Sequence, residues 1–269
     1  MWKSRAEALG WPNKPISFAQ ISLLGLNDSG WSLYGHSEWG AFKYAHGNPD
    51  SSNSGRLSVI DNIFAHTNAT TEQGLSLSEV DAAQYNDRVI AVEQSVTHLG
   101  MYVCVCVLII YLLCALFFFF FFFWFCSIDT DLLARMKHHG PNYLDAVATY
   151  ESNVALWNKE FESELRYYWN DTWVFIYLSD GTFWVDQPLC VLDKADWATS
   201  EQVEAARLFV EFASQKDKLQ EMLQYGIRPY EGSGITDITC CNSIITKKYG
   251  TDPPKTLRPL PSLHSRLLI

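Results

Sequence analysis

The chain has 269 residues, 48% of them hydrophobic, and its 30 acidic and 20 basic residues give a formal net charge of -10. The length and apolar content exclude a wholly disordered chain, and the acidic balance argues against a nucleic-acid partner. Four of the seven cysteines lie in one apolar run, so the composition predicts neither a disulfide framework nor a CxxC metal site. The first residues lack the apolar stretch of a secretory signal peptide.

The first half of the chain is predicted to be mainly helical. Residues 15–24 and 54–66 are predicted helices, the second entered from a polar loop. Apolar residues between positions 89 and 99 and between 132 and 136 fall on one helical face each. These two stretches therefore look like one amphipathic helical region that residues 101–126 interrupt.

Residues 101–126 are uncharged and include seven consecutive Phe, which predicts a transmembrane helix by hydropathy. The segment has no flanking Lys/Arg cluster and is low in complexity. Its codons fit a retained intron: residues 101–103 match a donor site, the Phe codons form a pyrimidine tract, and residues 126–127 can encode an acceptor. Excision would keep the reading frame and leave one Ile between Gly100 and Ile128. Both alternatives stay open.

The second half mixes predicted strands and helices. Residues 144–150 and 173–178 are apolar enough for buried strands, and residues 179–182 form a turn after the second. A capping box at residues 199–202 opens a helix, and another helix spans residues 216–225 before Gly226. This alternation predicts an α/β fold, followed by a polar, Pro-rich tail.

Several stretches, in order, resemble the extracellular solute-binding family with the type-two periplasmic-binding-protein fold. They are residues 1–15 (MWKSRAEALGWPNKP), 39–55 (WGAFKYAHGNPDSSNSG), 140–151 (GPNYLDAVATYE), 180–184 (DGTFW), 225–229 (YGIRP) and the tail at 249–255 (YGTDPPK). The resemblance covers most of residues 1–262. The tail is similar to the linker that in some members leads to a von Willebrand factor A domain.

The resemblance implies a periplasmic-binding-protein type-two-like fold with an incomplete first lobe, in a chain that is a fragment. Residues 1–172 would form the second lobe, interrupted at 101–126. Residues 173–232 would form the return crossover and the C-terminal helices of the first lobe, and residues 233–269 the irregular tail.

The candidate ligand-binding residues are of two kinds. A loop just before a predicted helix offers neutral hydroxyl and amide donors to an anion or polar solute; it contains Asn48, Ser51, Ser52, Asn53, Ser54 and Gly55. The resemblance also implies ligand contacts from Tyr150, Glu151, Gly181 and Thr182. The alternatives are helix capping for the loop and an ordinary helix start for Tyr150 and Glu151.

Catalytic and metal chemistry find little support in the sequence. Adjacent residues such as His138 and His139 point in different directions on a helix and cannot chelate together. Tyr167 and Tyr168 lie in an aromatic stretch typical of packing. No hydrolase, metalloprotease or phosphate-loop pattern is present, so no catalytic residue, metal or cofactor is predicted.

The predicted function is extracellular, non-catalytic capture of a small polar or anionic solute in a cleft between two lobes. The alternative is a membrane-anchored or extracellular interaction protein that uses this fold as a scaffold. Sequons at Asn27, Asn68 and Asn170 are compatible with secretion. If residues 101–126 are translated, they would add a membrane contact.

Overall fold

The computed structural model describes residues 1–67, 74–100, 128–185 and 188–253. The fold is mixed α/β, as the sequence predicts. The chain divides into two compact units. Unit 1 comprises Met1–Ile16, Thr71–Gly74 and Tyr150–Ile269, and unit 2 comprises Ser17–Thr70 and Leu75–Thr149. The predicted lobe boundary at residues 172–173 lies inside unit 1.

Unit 2 is built around a parallel sheet with the strand order β2-β1-β3. The strands are β1 (Tyr44–Gly47), β2 (Val96–Gly100) and β3 (Ala146–Val147). The first strand along the chain is therefore the central one, with a parallel neighbour on each side. Helices supply the connections that parallel strands require.

The helices of unit 2 are α2 (Phe18–Leu26), α3 (Asn53–His66), α4 (Leu77–Ala83), α5 (Asp87–Gln94) and α6 (Ile128–His139), with 3-10 turns at Gly30–Tyr34 and Ser37–Trp39. A capping side chain precedes each of α2 to α5. Ser17 and Ser76 open α2 and α4 with capping boxes. The predicted helix at 54–66 is confirmed as α3, and the predicted helix at 15–24 begins later, at Phe18.

The predicted helical region around residues 89–99 is wrong in its second half. Helix α5 ends at Gln94, and Val96–Gly100 is strand β2, paired in parallel with β1. The first half of the predicted helical face is correct, because Val89 and Val92 are buried on α5. Helix α6 follows as a separate element, with Leu132, Leu133 and Met136 buried on one face as expected.

The predicted transmembrane helix lies outside the described residues. Within the described ranges, none of the helices combines the length and apolar character needed to cross a bilayer.

Unit 1 is mainly helical. Its helices are α1 (Lys3–Ala8), α7 (Glu151–Trp169), α8 (Ser200–Ala213) and α9 (Lys216–Met222), with 3-10 turns at Leu223–Tyr225 and Lys247–Tyr249. Thr199 opens α8 with the predicted capping box, and Gly226 follows α9 and its 3-10 turn at a positive φ of 75°. Fully buried aromatic and aliphatic side chains form its core: Trp2, Leu165, Trp173, Leu223, Ile244 and Ile245.

Both predicted strands of the second half are corrected. Only Ala146–Val147 of residues 144–150 forms a strand. In residues 173–178, Trp173 makes an isolated antiparallel bridge to Trp2, while Val174 and Phe175 donate backbone N–H groups to Met1 and Gly250. The backbone is satisfied by these separate partners, so no ladder forms there.

Candidate functional site

The predicted loop at residues 48–55 connects the carboxyl end of β1 to the start of α3. Its first residue, Asn48, donates its backbone N–H to the carbonyl of Gly100 over 2.9 Å, and Gly100 is the last residue of β2. Open parallel sheets bind ligands outside the carboxyl ends of strands, where neighbouring connections diverge. The loop occupies that position at the central strand.

Asn48 organises the first half of the loop. Its carbonyl oxygen accepts the N–H groups of Ser51 at 3.0 Å and Ser52 at 2.7 Å, and its Oδ1 accepts that of Asp50 at 3.0 Å. The Arg56 Nε donates to the Pro49 carbonyl over 3.2 Å. The loop is thus held by its own backbone and by Arg56.

Ser52 is the N-cap of α3. Its Oγ accepts the Gly55 N–H at 3.2 Å and lies 2.9 Å from the Ser54 Oγ, and both hydroxyls are buried. Ser51 and Asn53 are exposed on either side. Capping, one of the two interpretations of this loop, is present in the structure. The role of these residues in ligand binding stays a prediction.

Gly55 sits against the end of β1. A Cβ placed on Gly55 would lie 1.9 Å from the Gly47 carbonyl oxygen. Only glycine allows this approach of helix to strand. The close packing fixes where the first turn of α3 lies relative to the sheet.

A buried polar stripe runs along α3 behind the loop. It consists of Ser54, Ser58, Asn62 and His66, spaced four residues apart, with the first three buried. Residues at this spacing share one helical face. The polar period of four between residues 54 and 66 is a signal in the sequence from which the stripe could have been predicted.

Each member of the stripe has a polar partner. Ser58 Oγ lies 2.6 Å from the Tyr44 hydroxyl, and His66 Nε2 lies 3.1 Å from Ser22 Oγ. Burial strongly raises the pKa of the Tyr44 phenol, so this hydroxyl stays protonated. These contacts satisfy hydroxyls that would otherwise be costly to bury.

His46 and Glu93 form the titratable centre of this network. The His46 Nε2 lies 3.1 Å from Glu93 Oε2, its Nδ1 lies 2.7 Å from the Gly47 carbonyl, and the ring is 2% exposed. Asn62 Nδ2 donates to Glu93 Oε1 over 3.0 Å and to the Val89 carbonyl over 3.2 Å. Burial lowers the pKa of His46, but the bonds to Glu93 and Gly47 outweigh it, and the net pKa is raised.

Glu93 also reaches an apolar cavity of about 420 Å³. Side chains of α3, α4 and α5 line this cavity, among them Val59, Ile63, Val80, Val89 and Ile90. Residues 48–55 do not line it. The cavity and the predicted loop are separate features of unit 2.

Glu151, the first residue of α7, is engaged within unit 1. Its Oε2 accepts the Arg228 Nε at 2.7 Å, its Oε1 accepts Arg228 Nη2 at 2.8 Å, and Oε1 also accepts the Tyr177 hydroxyl. The Tyr177 oxygen in turn accepts the Asp252 N–H at 2.9 Å. Burial, followed by the negative charge of Glu151, strongly raises the pKa of Tyr177. Glu151 therefore ties the start of α7 to the segment around Arg228.

The remaining predicted residues lie at turns of the same unit. Tyr150 is the N-cap residue of α7 without a capping side-chain bond. The predicted turn at residues 179–182 is present: Gly181 has a positive φ of 115° and donates its N–H to the Leu178 carbonyl over 3.2 Å. Thr182 is half-buried. Residues 48–55 belong to unit 2, whereas Tyr150, Glu151, Gly181 and Thr182 belong to unit 1.

Among the described residues, no group of three or more His, Cys, Asp or Glu side chains is placed to hold a metal ion. His138 and His139 are exposed at the end of α6, and the His139 ring lies 4.6 Å from that of Tyr143. Tyr167 and Tyr168 are exposed on α7 with their rings in edge contact. The prediction that these two tyrosines pack in the interior is therefore wrong, because both side chains are exposed.

Comparisons of the chain with protein-family models, with curated proteins and with solved structures gave no match.

Proposed function

We propose that the chain is a non-catalytic, extracellular module that captures a small polar or anionic solute at residues 48–55. The observation that supports this most directly is the position of the loop at the carboxyl end of the central strand, flanked by parallel neighbours on both sides. The loop leads into the N-terminus of α3, whose dipole favours negative charge.

The chemistry of the loop favours a neutral, hydrogen-bonded site. The hydroxyls of Ser51, Ser52 and Ser54 and the amides of Asn48 and Asn53 can donate to oxygen atoms of a solute. Arg56, the nearest cation in sequence, is turned back onto the Pro49 carbonyl. Such donors can hold an oxyanion without a counter-charge and also suit a sugar or amino acid.

The full proposal includes a type-two periplasmic-binding-protein-like fold, for which the resemblance implies ligand contacts from Tyr150, Gly181 and Thr182. The geometry of Glu151 changes the role we propose for this residue. Because both of its carboxylate oxygens are bonded to Arg228 or Tyr177, Glu151 would orient these two side chains instead of contacting the solute.

The test is calorimetry on the full chain with a panel of oxyanions, sugars and amino acids. Ser54→Ala and Ser52→Ala should each weaken binding of the solute that the wild type selects, by about 1 to 3 kcal/mol per lost buried hydrogen bond. Ser76→Ala is the matched control, because Ser76 is likewise an N-cap serine of unit 2, at the start of α4 and outside the loop. It should lose helix stability and leave binding unchanged.

Two results would count against this proposal. One is the absence of binding across the panel by a wild-type chain that unfolds cooperatively. The other is equal affinity in the wild type, Ser52→Ala and Ser54→Ala, which would leave the loop as a helix cap alone.

An interaction protein is the second candidate, and the apolar side of α8 favours it. Leu208, Phe209 and Phe212 are 57%, 59% and 50% exposed, and the described part of the chain buries no residue of α8. Self-pairing of two copies through this side of α8 would bury these apolar side chains against each other.

Sedimentation of the full chain tests this second candidate. Phe209→Glu should shift a dimer to monomer, whereas Tyr167→Glu, at an exposed aromatic residue of α7, should not. A wild-type chain that stays monomeric at all concentrations would exclude self-association through α8.

A further inference from the structure

Two adjacent cysteines occupy a tight turn near the end of unit 1. The Ser243 N–H donates to the Cys240 carbonyl over 2.9 Å, and the two residues between them, Cys241 and Asn242, have φ values of 60° and 62°. Left-handed conformations at both central positions are typical of a type I′ turn, which favours Asn and Gly. Asn242 suits this turn, but a cysteine at Cys241 does not.

The strained turn places two neighbouring thiols at the surface of unit 1, with Cys240 half-buried and Cys241 exposed. The neighbouring Cys241 side chain, followed by desolvation and the charge of Asp237, raises the pKa of Cys240. Strained conformations of this kind persist only where surrounding structure holds them, and they concentrate at functional positions.

The chain immediately after the turn is anchored in the core. Ile244 and Ile245 are buried, and the Ile244 N–H donates to the Leu223 carbonyl over 3.1 Å. The Ile245 N–H is bonded to the Ser243 Oγ at 3.1 Å. The turn therefore has one side that carries the two cysteines at the surface and one side that is fixed to Leu223, just after α9.

We propose that Cys240 and Cys241 form a redox-active vicinal dithiol that closes to a disulfide by exchange with a small-molecule disulfide. One thiolate attacks a sulfur atom of the oxidant and releases one of its halves as a thiol, leaving a mixed disulfide on the protein. The neighbouring thiolate then attacks the protein sulfur and releases the second half. The protein loses two hydrogen atoms, and the oxidant is reduced to two thiols.

The closed pair is expected to be easily reduced. Adjacent Cα atoms are about 3.8 Å apart, below the range of about 4.4–6.8 Å found for most disulfides. Strained and exposed disulfides have higher reduction potentials and are the labile ones. This site would therefore respond to the ratio of thiol to disulfide and would not act as a permanent cross-link.

The experiment treats the full chain with oxidised glutathione and maps each cysteine by peptide mass spectrometry. Cys190 is the internal control, because it is exposed and is not part of this turn. We expect Cys190 to accumulate the glutathione adduct, and the peptide with Cys240 and Cys241 to lose two hydrogen masses and carry no adduct. In the Cys241→Ser variant, Cys240 should instead keep the adduct.

A second readout follows the anchored side of the turn. Hydrogen exchange of the Ile244 N–H should change on oxidation in the wild type and stay constant in Cys241→Ser. Stable glutathione adducts on Cys240 or Cys241 in the wild type, or a reduction potential as low as that of ordinary structural disulfides, would overturn the proposal.

Discussion

Gly55 packs so closely on Gly47 that a Cβ on Gly55 would lie 1.9 Å from the Gly47 carbonyl oxygen. The obstacle is backbone, so it cannot rotate away as a flexible side chain would. Gly55→Ala should therefore destabilise unit 2 by about 3 kcal/mol or more, at the upper end of overpacking effects. Thermal unfolding of the full chain would measure this. Ser51→Ala, an exposed change in the same loop, should alter the stability by no more than about 0.5 kcal/mol.

The ion pair of Glu151 with Arg228 should stabilise unit 1 substantially. The two side chains are only 13% and 15% exposed, and the pair is bidentate. Arg228→Gln should cost about 2 to 4 kcal/mol, because it leaves Glu151 partly buried without its cation. A double-mutant cycle with Glu151→Gln should give a coupling energy of about 1 to 3 kcal/mol.

The matched control for this pair is Arg166 with Glu162 on α7, an exposed pair at 2.9 Å. Its coupling energy should be no more than about 0.5 kcal/mol. Equal coupling in the two cycles, measured by chemical denaturation, would show that burial adds nothing to the Glu151–Arg228 pair.

Asn158 holds a junction between three segments of unit 1. Its Nδ2 donates to the carbonyls of Trp173 at 2.8 Å and Tyr249 at 3.0 Å, and its Oδ1 accepts the Trp173 N–H at 3.3 Å. Asn158→Ala should cost about 3 kcal/mol, because buried backbone groups lose their partners. Lys159→Ala, at the exposed neighbouring position, should be close to neutral. Similar denaturation midpoints for the two variants would contradict this role.

The stability of unit 2 should depend on pH through His46. Both ring nitrogens face acceptors, Glu93 Oε2 and the Gly47 carbonyl, so the doubly protonated ring suits its surroundings, and the folded-state pKa is raised. A histidine whose pKa is raised on folding stabilises the folded state fully at pH values below its unfolded pKa of about 6.5. This stabilisation is lost as the pH rises through the folded-state pKa.

Urea unfolding between pH 5.5 and 8.5 would measure this effect. The wild type should lose stability in this window relative to Glu93→Gln, in which the charge that favours the protonated ring is absent. Parallel pH profiles for the two proteins would mean that His46 titrates normally.

The helices with local start and stop signals could be predicted from the sequence. The capping box at Thr199 and the stop at Gly226 act over a few residues, and the structure confirms both. Strand β2 could not be found this way, because its identity depends on pairing with β1, which lies about fifty residues earlier in the chain. The strand predicted at residues 173–178 is absent because the apolar character of this segment reflects burial, and its backbone groups bond to several separate partners.

The candidate loop was predicted from its own residues, but the network behind it was not. Ser52 and Gly55 carry local signals for a helix start. His46 and Glu93 are separated by forty-six intervening residues, and the packing of α5 against α3 and β2 brings them together. Nothing in the local pattern of either residue identifies the other as its partner.

Helix α6 packs on β1 and β2, and its buried face joins the same core as the strands. These contacts are made by residues on either side of 101–127, so the strand-to-helix unit is specified by sequence that both a spliced and an unspliced transcript would encode. The two alternatives for residues 101–126, a membrane span and a retained intron, thus share the residues that build this part of the core.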